Sequence, residues 1–289
     1  MSIKTILVAA SGGTATGGAL ELACRFARRF GGYLEALHAK ADPRDFDSYA
    51  DGGFGRSMGA EFVKKFLSES AALASTTKTA FEAAIARHSI ELTPSNALSA
   101  KMMASATWRE ETGYGPMVVS RRARFFDLIV LGRSERVIDQ PHSDTVEQTL
   151  LHGGRPVLLA PAYPPDEAGE VIAIGWNGSP QAVHALAAAI PFLSTARRNL
   201  LVTVGDAHRE SALAAIEFLC WHGIAAKHRH MPHLHRGDPG RQLLVAAIQE
   251  GADLVVMGGY GHTPWREYLF GGATSDIVGT SVLPILLSH

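Results

Sequence analysis

The chain has 289 residues, of which 46% are hydrophobic and 19% charged, and its formal net charge is -1 at pH 7. That length fits two domains of about 140 residues or one large one, and the composition excludes a disordered chain. Basic residues are scattered, which argues against a nucleic-acid partner, and the apolar start "ILVAA" is too short for a signal peptide or a membrane span, so a cytoplasmic protein with no membrane partner is expected.

In chain order, the first half opens with the strand "TILVAA" and the turn Ser11-Gly12-Gly13, followed by a second apolar strand, "YLEALHA", at 33 to 39. A glycine-rich polar stretch, "DPRDFDSYADGGFGRSMG", reads as an extended loop, and the amphipathic run from Glu61 to about His88 as a lengthened helix. "FDLIVLGR" at 126 to 133 and "GRPVLLAPA" at 154 to 162 are the next apolar strands, and "APAYPPDEAGE" at 160 to 170 reads as a linker. In the second half "VIAIGW" is a strand, and Ser179-Pro180 supplies an N-cap and a first helical residue for "QAVHALAAAIPFL". The strand "NLLVTV" follows, then a helix over "ESALAAIEFLCWHG" stopped by Gly223, then the polar strand "AAKHRHMPHL". Asp238-Pro239 caps a helix closed by Gly251, and "DLVVMG", a short helix from about Thr274 and "PILLS" finish the chain.

The halves are related. "FDLIVLGR" matches "ADLVVMGG" with Asp127 and Asp253 126 residues apart, whereas "TILVAASGG" and "VIAIGWNGS" are offset by 166. The first half therefore carries about 40 extra residues between its second and fourth apolar strands. Alternating strands and helices predict parallel sheets with crossover helices, hence two domains, 1–163 and 164–289. Cys24 and Cys220 each sit in an apolar helical pattern and are expected to be inert core thiols.

In open parallel sheets, ligands bind beyond the carboxyl ends of the strands. Three loops of the second half qualify: Asn177-Gly178-Ser179, Val204-Gly205-Asp206, and the stretch after "DLVVMG", where Gly258, Gly261 and Gly271 are spaced G-x2-G-x9-G. Glycines let the backbone approach a ligand, and clustered N–H groups at a helix start attract phosphate. No GxxxxGK[ST] exists in the chain, so this is not P-loop chemistry.

A strand ending in "MG", this glycine spacing, a short helix and a final "PIL" strand resemble the nucleotide-binding signature of the universal stress protein family. The whole chain, with "WNGS" opening its second half, resembles a tandem member. The resemblance implies two tandem doubly wound five-stranded parallel-sheet α/β domains, of the adenine nucleotide alpha hydrolase-like type. It implies ATP or a related adenine nucleotide in the second half, with or without magnesium. Gly258, Gly261 and Gly271 would hold the triphosphate, with Met257, Gly259, His262, Gly272, Ala273 and Thr274 beside them; Asn177, Gly178, Ser179, Thr203 and Val204 would take adenine and ribose. Gly272 stands where the family has Ser or Thr, and Asn177 where it has Asp, so one hydroxyl contact is lost or displaced and no charge is offered to a metal there. In the first half "GRSERVIDQPHSDT" keeps Gly132 but carries Glu135, Asp139 and Asp144, which reads as a degenerate site. The resemblance also implies that strands 157 to 160 and 284 to 287 pair as an intrachain pseudo-dimer; a further homodimer is compatible with the sequence.

Other readings stand beside these. The glycines can be plain strand-to-helix turns, and Trp265 and Arg266 can be a lid or an exposed loop. His228, His230, His233 and His235 fit a solvated edge better than a zinc site, and His262 fits loop polarity better than proton transfer. No nucleophile elbow, HExxH or paired-carboxylate motif is present, so catalysis would be at most slow ATP hydrolysis, and a regulator with an unidentified protein partner or a non-nucleotide interaction protein are the alternatives.

Overall fold

The computed structural model describes residues 2–40, 42, 60–94, 104–133, 141–232, 239–259 and 283–289. The chain divides into two compact units, one of Lys4–Gly132 with Pro141–Arg155, the other built on Pro156–His289.

The first unit holds β1 (Thr5–Ala9), β2 (Tyr33–Lys40), β3 (Glu91–Leu92), β4 (Ser105–Thr112) and β5 (Leu128–Gly132), in the order β3-β4-β2-β1-β5 and all parallel. Its helices are α1 (Gly13–Phe30), α2 (Ala60–Arg87), α3 (Gly115–Ala123) and α4 (Pro141–His152). β1 is apolar along its length because both faces are covered, and Ile6, Leu7 and Val8 are fully buried. α1 ends at Gly31, whose left-handed φ of 61° lets its N–H reach the carbonyls of Ala27 and Arg28. The expected long helix is α2, 28 residues, which lays Phe81, Ala84 and Ile85 into the core. β4, "SATWREET", pairs with β2 over eight residues. Its alternating polar residues hid it from a search for apolar runs.

A buried charge in this unit is compensated. Glu35 on β2 is 1% exposed, and Arg122 of α3 reaches it through two hydrogen bonds, Nε to Oε1 at 2.7 Å and Nη2 to Oε2 at 2.8 Å. The bond from Glu35 is the main cause that raises the Arg122 pKa, and the guanidinium also lies 5.4 Å over the Phe126 ring.

The second unit holds β6 (Val157–Ala160), β7 (Val171–Gly175), β8 (Arg198–Val204), β9 (Lys227–Met231), β10 (Leu254–Gly258) and β11 (Ile285–Ser288), in the order β6-β11-β10-β7-β8-β9. Every pairing is parallel except β6 with β11, where Ile285 faces Leu159 and Leu287 faces Val157 in antiparallel register. Each of these two strands thus covers an edge the other would leave unpaired. The helices are α5 (Pro180–Leu193), α6 (Arg209–Trp221) and α7 (Pro239–Gln249). Ser179 caps α5 by accepting from the Ala182 N–H at 3.2 Å, with Pro180 in the first turn. α6 buries Ala212, Ala215 and Leu219, which turns Cys220 outward: it is exposed, against the expectation of a core thiol. Cys24 is buried as expected, and burial pushes its pKa up to about 12, which keeps it an unreactive thiol. No described helix is long and apolar enough to cross a membrane.

The Asp shared by the two halves performs the same task in each. The Asp127 carboxylate accepts from the Lys4 and Thr5 N–H groups at 2.8 and 3.0 Å, at the entry to β1. Asp253 accepts from Gly169, Glu170 and Val171 N–H groups at 2.7 to 3.1 Å, at the entry to β7. Burial pushes the Asp253 carboxyl above its ordinary range even though these donors work the other way. Replacing Asp253 by Ala leaves three donors without their acceptor and should cost about 1–3 kcal/mol, read as a lower urea midpoint, with Asp253→Asn losing less; equal midpoints for all three proteins would reject this role.

Candidate functional site

The chain leaves β7 toward β8 on one side, while β10 lies on the other, so the sheet order reverses between β7 and β10. Loops part at such a point and leave a crevice. A cavity of about 450 Å³ lies there, at the carboxyl ends of β7, β8 and β10. Val202, Val204, Leu243 and Met257 give it apolar walls; Asn177, Asp206 and His208 supply its polar rim, and Gly175, Trp176, Gly205, Ala207, Pro239 and Gly258 complete it. None of these lining residues is Lys or Arg.

The turn after β7 is built from its own side chains. Asn177 Oδ1 accepts from the Ser179 N–H at 3.1 Å and from the Ser179 hydroxyl at 2.7 Å, an Asx turn, and Gly178 takes φ 69° between them. The carboxamide oxygen therefore holds the loop, and the group Asn177 offers outward is its NH2, a donor. Trp176 is anchored beneath by its Nε1–H, which donates to the Ser211 hydroxyl at 3.1 Å; that hydroxyl donates in turn to the His208 carbonyl. A 3-10 turn, Asp206–His208, follows Gly205 at φ 81° and places Asp206 and His208 at the rim.

Alternation along β8 sends Val202 and Val204 to the cavity and Thr203 to the opposite face. There the fully buried Thr203 hydroxyl lies 2.9 Å from His228 Nε2 and 3.4 Å from His230 Nδ1, and His230 Nε2 is 3.3 Å from Asp206. Thr203 thus ties β9 to β8 and does not line the cavity. Burial, and then the charges of His230 and Arg209, hold the His228 pKa below its ordinary value. The unfolded chain then binds the proton more readily, so stability is full above about pH 6.5 and is lost as pH falls toward the lowered native value. Between about pH 7.5 and pH 5.5 the melting temperature of His228→Gln should fall less than that of the parent; parallel curves would remove His228 as the cause.

Met257 and Gly258 line the cavity, whereas Gly259 extends the sheet, its N–H donating to the Ser288 carbonyl at 2.8 Å. Gly258 has a packing reason to be glycine. A Cβ there would lie 2.7 Å from the Gln181 carbonyl carbon and 2.8 Å from the Ala182 nitrogen, in the first turn of α5. Gly132 at the end of β5 meets Ala15 of α1 in the same way. Gly258→Ala should therefore destabilise by about 1–3 kcal/mol in ligand-free urea denaturation; unchanged stability would leave ligand approach as the reason for this glycine.

Gly261, His262, Gly271, Gly272, Ala273 and Thr274, with Trp265 and Arg266, lie outside the described residues. So do His233, His235, Glu135 and Asp139. Of the predicted site residues, the structure brings Asn177, Val204, Met257 and Gly258 to one cavity, with Gly178 and Ser179 holding its rim. Trp176, Asp206, His208, Pro239 and Leu243 also line it. Asp206 stood in a loop that the sequence singled out; Leu243 was legible only as one position of an amphipathic helix. Among the described residues no group of three or more His, Cys, Asp or Glu side chains could hold a metal ion.

Residues 204–289 match the model of the Universal stress protein family. No curated protein matches the sequence. Among solved structures, the chain is similar to a universal stress protein from Archaeoglobus fulgidus, at 13% identity and TM-score 0.63, over 98% of this chain and 97% of that one. It is also similar to a putative universal stress protein from Pseudomonas aeruginosa, at 13% identity and TM-score 0.52, over 99% and 93% of the two chains. A functionally unknown protein from Pseudomonas aeruginosa matches at 13% identity and TM-score 0.52, over 99% and 92%. These likenesses agree with the α/β fold of parallel strands and covering helices.

Proposed function

Because residues 204–289 carry a universal stress protein family domain, we propose that this chain is a stress-response protein whose second half binds ATP or a related adenine nucleotide, acting as a sensor or regulator. The observation that carries the reading is the cavity at the strand-order reversal between β7 and β10, with its apolar walls Val202, Val204, Leu243 and Met257 and its polar rim. A flat heteroaromatic base suits such walls, and about 450 Å³ lies within the range of small-ligand pockets. Asp206 accepts hydrogen bonds from ribose hydroxyls, and the Asn177 NH2 donates to a base nitrogen or a phosphate oxygen. The triphosphate is assigned to the backbone N–H groups of Gly258, Gly261 and Gly271, with Gly272, Ala273 and Thr274 beside them. Magnesium, where present, is held by the phosphates and water, since the turn after β7 offers an amide and no carboxylate. Bound nucleotide supplies a second conformational state of these loops that a protein partner can read.

Hydrolysis, in this reading, is slow, because the described rim offers no activated nucleophile and no oriented base. Phosphate release above a Gly261→Val, Gly271→Val double variant would establish it as an activity; equal rates would reject it.

One nucleotide per chain is expected in isothermal titration. Val204→Trp, which fills the cavity from a half-exposed position, should weaken it by about tenfold or more. Denaturing the purified protein should release a species with adenine absorbance and mass. No released adenine, together with no thermal shift at millimolar ATP, rejects the nucleotide and leaves the interaction-protein reading.

A further inference from the structure

The first unit has a cavity of about 560 Å³ bordered by Phe66 and Leu73 of α2. Its outer surface carries a second feature, on α3. Val118, Val119 and Ala123 of that helix are buried, while Met117, Arg121 and Arg124 follow at i, i+4 and i+7 on the outside, with Phe125 in the turn that ends it. Met117 is 56% and Phe125 72% exposed. Arg124 Nε donates to the His152 carbonyl at the end of α4 at 3.2 Å, and Arg155 donates to the Arg124 carbonyl, Nε at 3.3 Å and Nη2 at 3.2 Å. Backbone oxygens thus hold both guanidiniums at the exposed ends of α3 and α4, and neither has an ion pair among the described residues. Arg121 has one, with Glu111 at 3.6 Å. The face is cationic, with large apolar side chains set into it.

α6 of the second unit carries the complement. Ala212, Ala215 and Leu219 are buried, whereas Glu210, Leu213, Glu217 and Trp221 run at i, i+3, i+7 and i+11 along the outside, with Phe218 beside them. Leu213 is 62% and Trp221 82% exposed. Neither Glu210 nor Glu217 has an ion pair among the described residues, while Arg209 at the edge of the stripe is paired with Asp206 at 3.6 Å. This face is anionic. Basic side chains near helix C-termini and acidic ones near N-termini are what the helix dipole favours. Large apolar side chains turned to water in a stripe between them are not, and contiguous exposed apolar surface marks a docking site.

We propose that the α6 face of one chain docks on the α3 face of a second copy, Leu213, Phe218 and Trp221 against Met117 and Phe125, with Glu210 and Glu217 beside Arg124 and Arg155. The charges select this occupant. Two α6 faces would bring glutamate against glutamate, and two α3 faces arginine against arginine, whereas α6 on α3 joins opposite charges around an apolar centre. Tryptophan and arginine, the side chains that most often dominate interface energetics, stand on opposite sides of the contact. It is a heterologous contact, since it joins different surfaces of the two copies. None of its residues lines the cavity at β7 and β10, so it is independent of the nucleotide reading.

Sedimentation velocity of the full-length protein at rising concentration should show reversible self-association that weakens as salt is added. Trp221→Glu and Phe125→Glu should each weaken it by about tenfold or more. Each variant lacks one of the two faces, so neither associates through this contact alone, and an equimolar mixture of the two should form a one-to-one pair that grows no further. Arg124→Glu and Glu217→Arg should each weaken association, and placed together in one chain they should restore it. All four positions are exposed, so melting temperatures should stay close to that of the parent; if the aromatic variants fail to fold, the charge variants still decide. A protein that stays monomeric at every concentration, a mixture no heavier than its components, a charge-swapped double variant no better than the singles, or self-association that none of these substitutions alters would overturn the proposal.

Discussion

The close approach of the fourth apolar strand of each half to the helix that follows the first strand is the constraint from which the rest follows. At Gly258 and at Gly132 the strand backbone lies against the first turn of α5 and of α1, closer than any side chain permits. That contact pins the helix start over the strand end, and so fixes where the loops part and where a cavity opens. Both halves keep this glycine although only the second keeps the later ones, as expected of a residue that packing demands. The aspartate five residues before each glycine fixes the other end of the same layer. Asp127 and Asp253 receive backbone N–H groups at the entry to β1 and β7 and set the register between first and fourth strands.

On one scaffold the two halves carry different walls. In the second, the cavity is closed by Leu243 of α7 and by the 3-10 turn after β8, and Asp206 is the one carboxylate among its described lining residues. In the first, α2 adds Phe66 and Leu73 above the sheet edge and two carboxylates line the space. The roughly 40 residues by which the halves differ in length are therefore chemically consequential. They supply a helix long enough to bury its lower turns and to hold its upper turns over a cavity.

Much of this was legible in the sequence, for reasons that vary by element. Strands such as "ILVA" and "DLVVMG" are buried on both faces and read as unbroken apolar runs, and Ser179-Pro180 is a local capping signal that needs no tertiary context. β4 was not legible, because a strand near the sheet edge keeps polar residues and its pairing with β2 is a long-range fact. Cys220 was misread because the helical pattern of "ALAAIEFLCW" does not say which apolar residues meet the sheet; Ala212, Ala215 and Leu219 do, and Cys220 and Trp221 do not. Within the site, sequence located the loops but not the direction of their atoms. Thr203 and Val204 are adjacent, yet the pleat sends one toward the histidines of β9 and the other into the cavity.

The turn after β7 shows what such directions mean for binding. An aspartate in place of Asn177 would present only acceptors, and capping the turn would still leave negative charge at the rim. The asparagine spends its oxygen on Ser179 and keeps two N–H donors outward. A rim that pairs this donor with Asp206, and that has no Lys or Arg among its described lining residues, can distinguish ligands by hydrogen-bond pattern. Backbone dipoles bind phosphate by geometry more than by net charge. A phosphate site built from backbone N–H groups depends on the conformation of the chain that carries them, so in the nucleotide reading proposed above occupancy and backbone conformation would become one equilibrium.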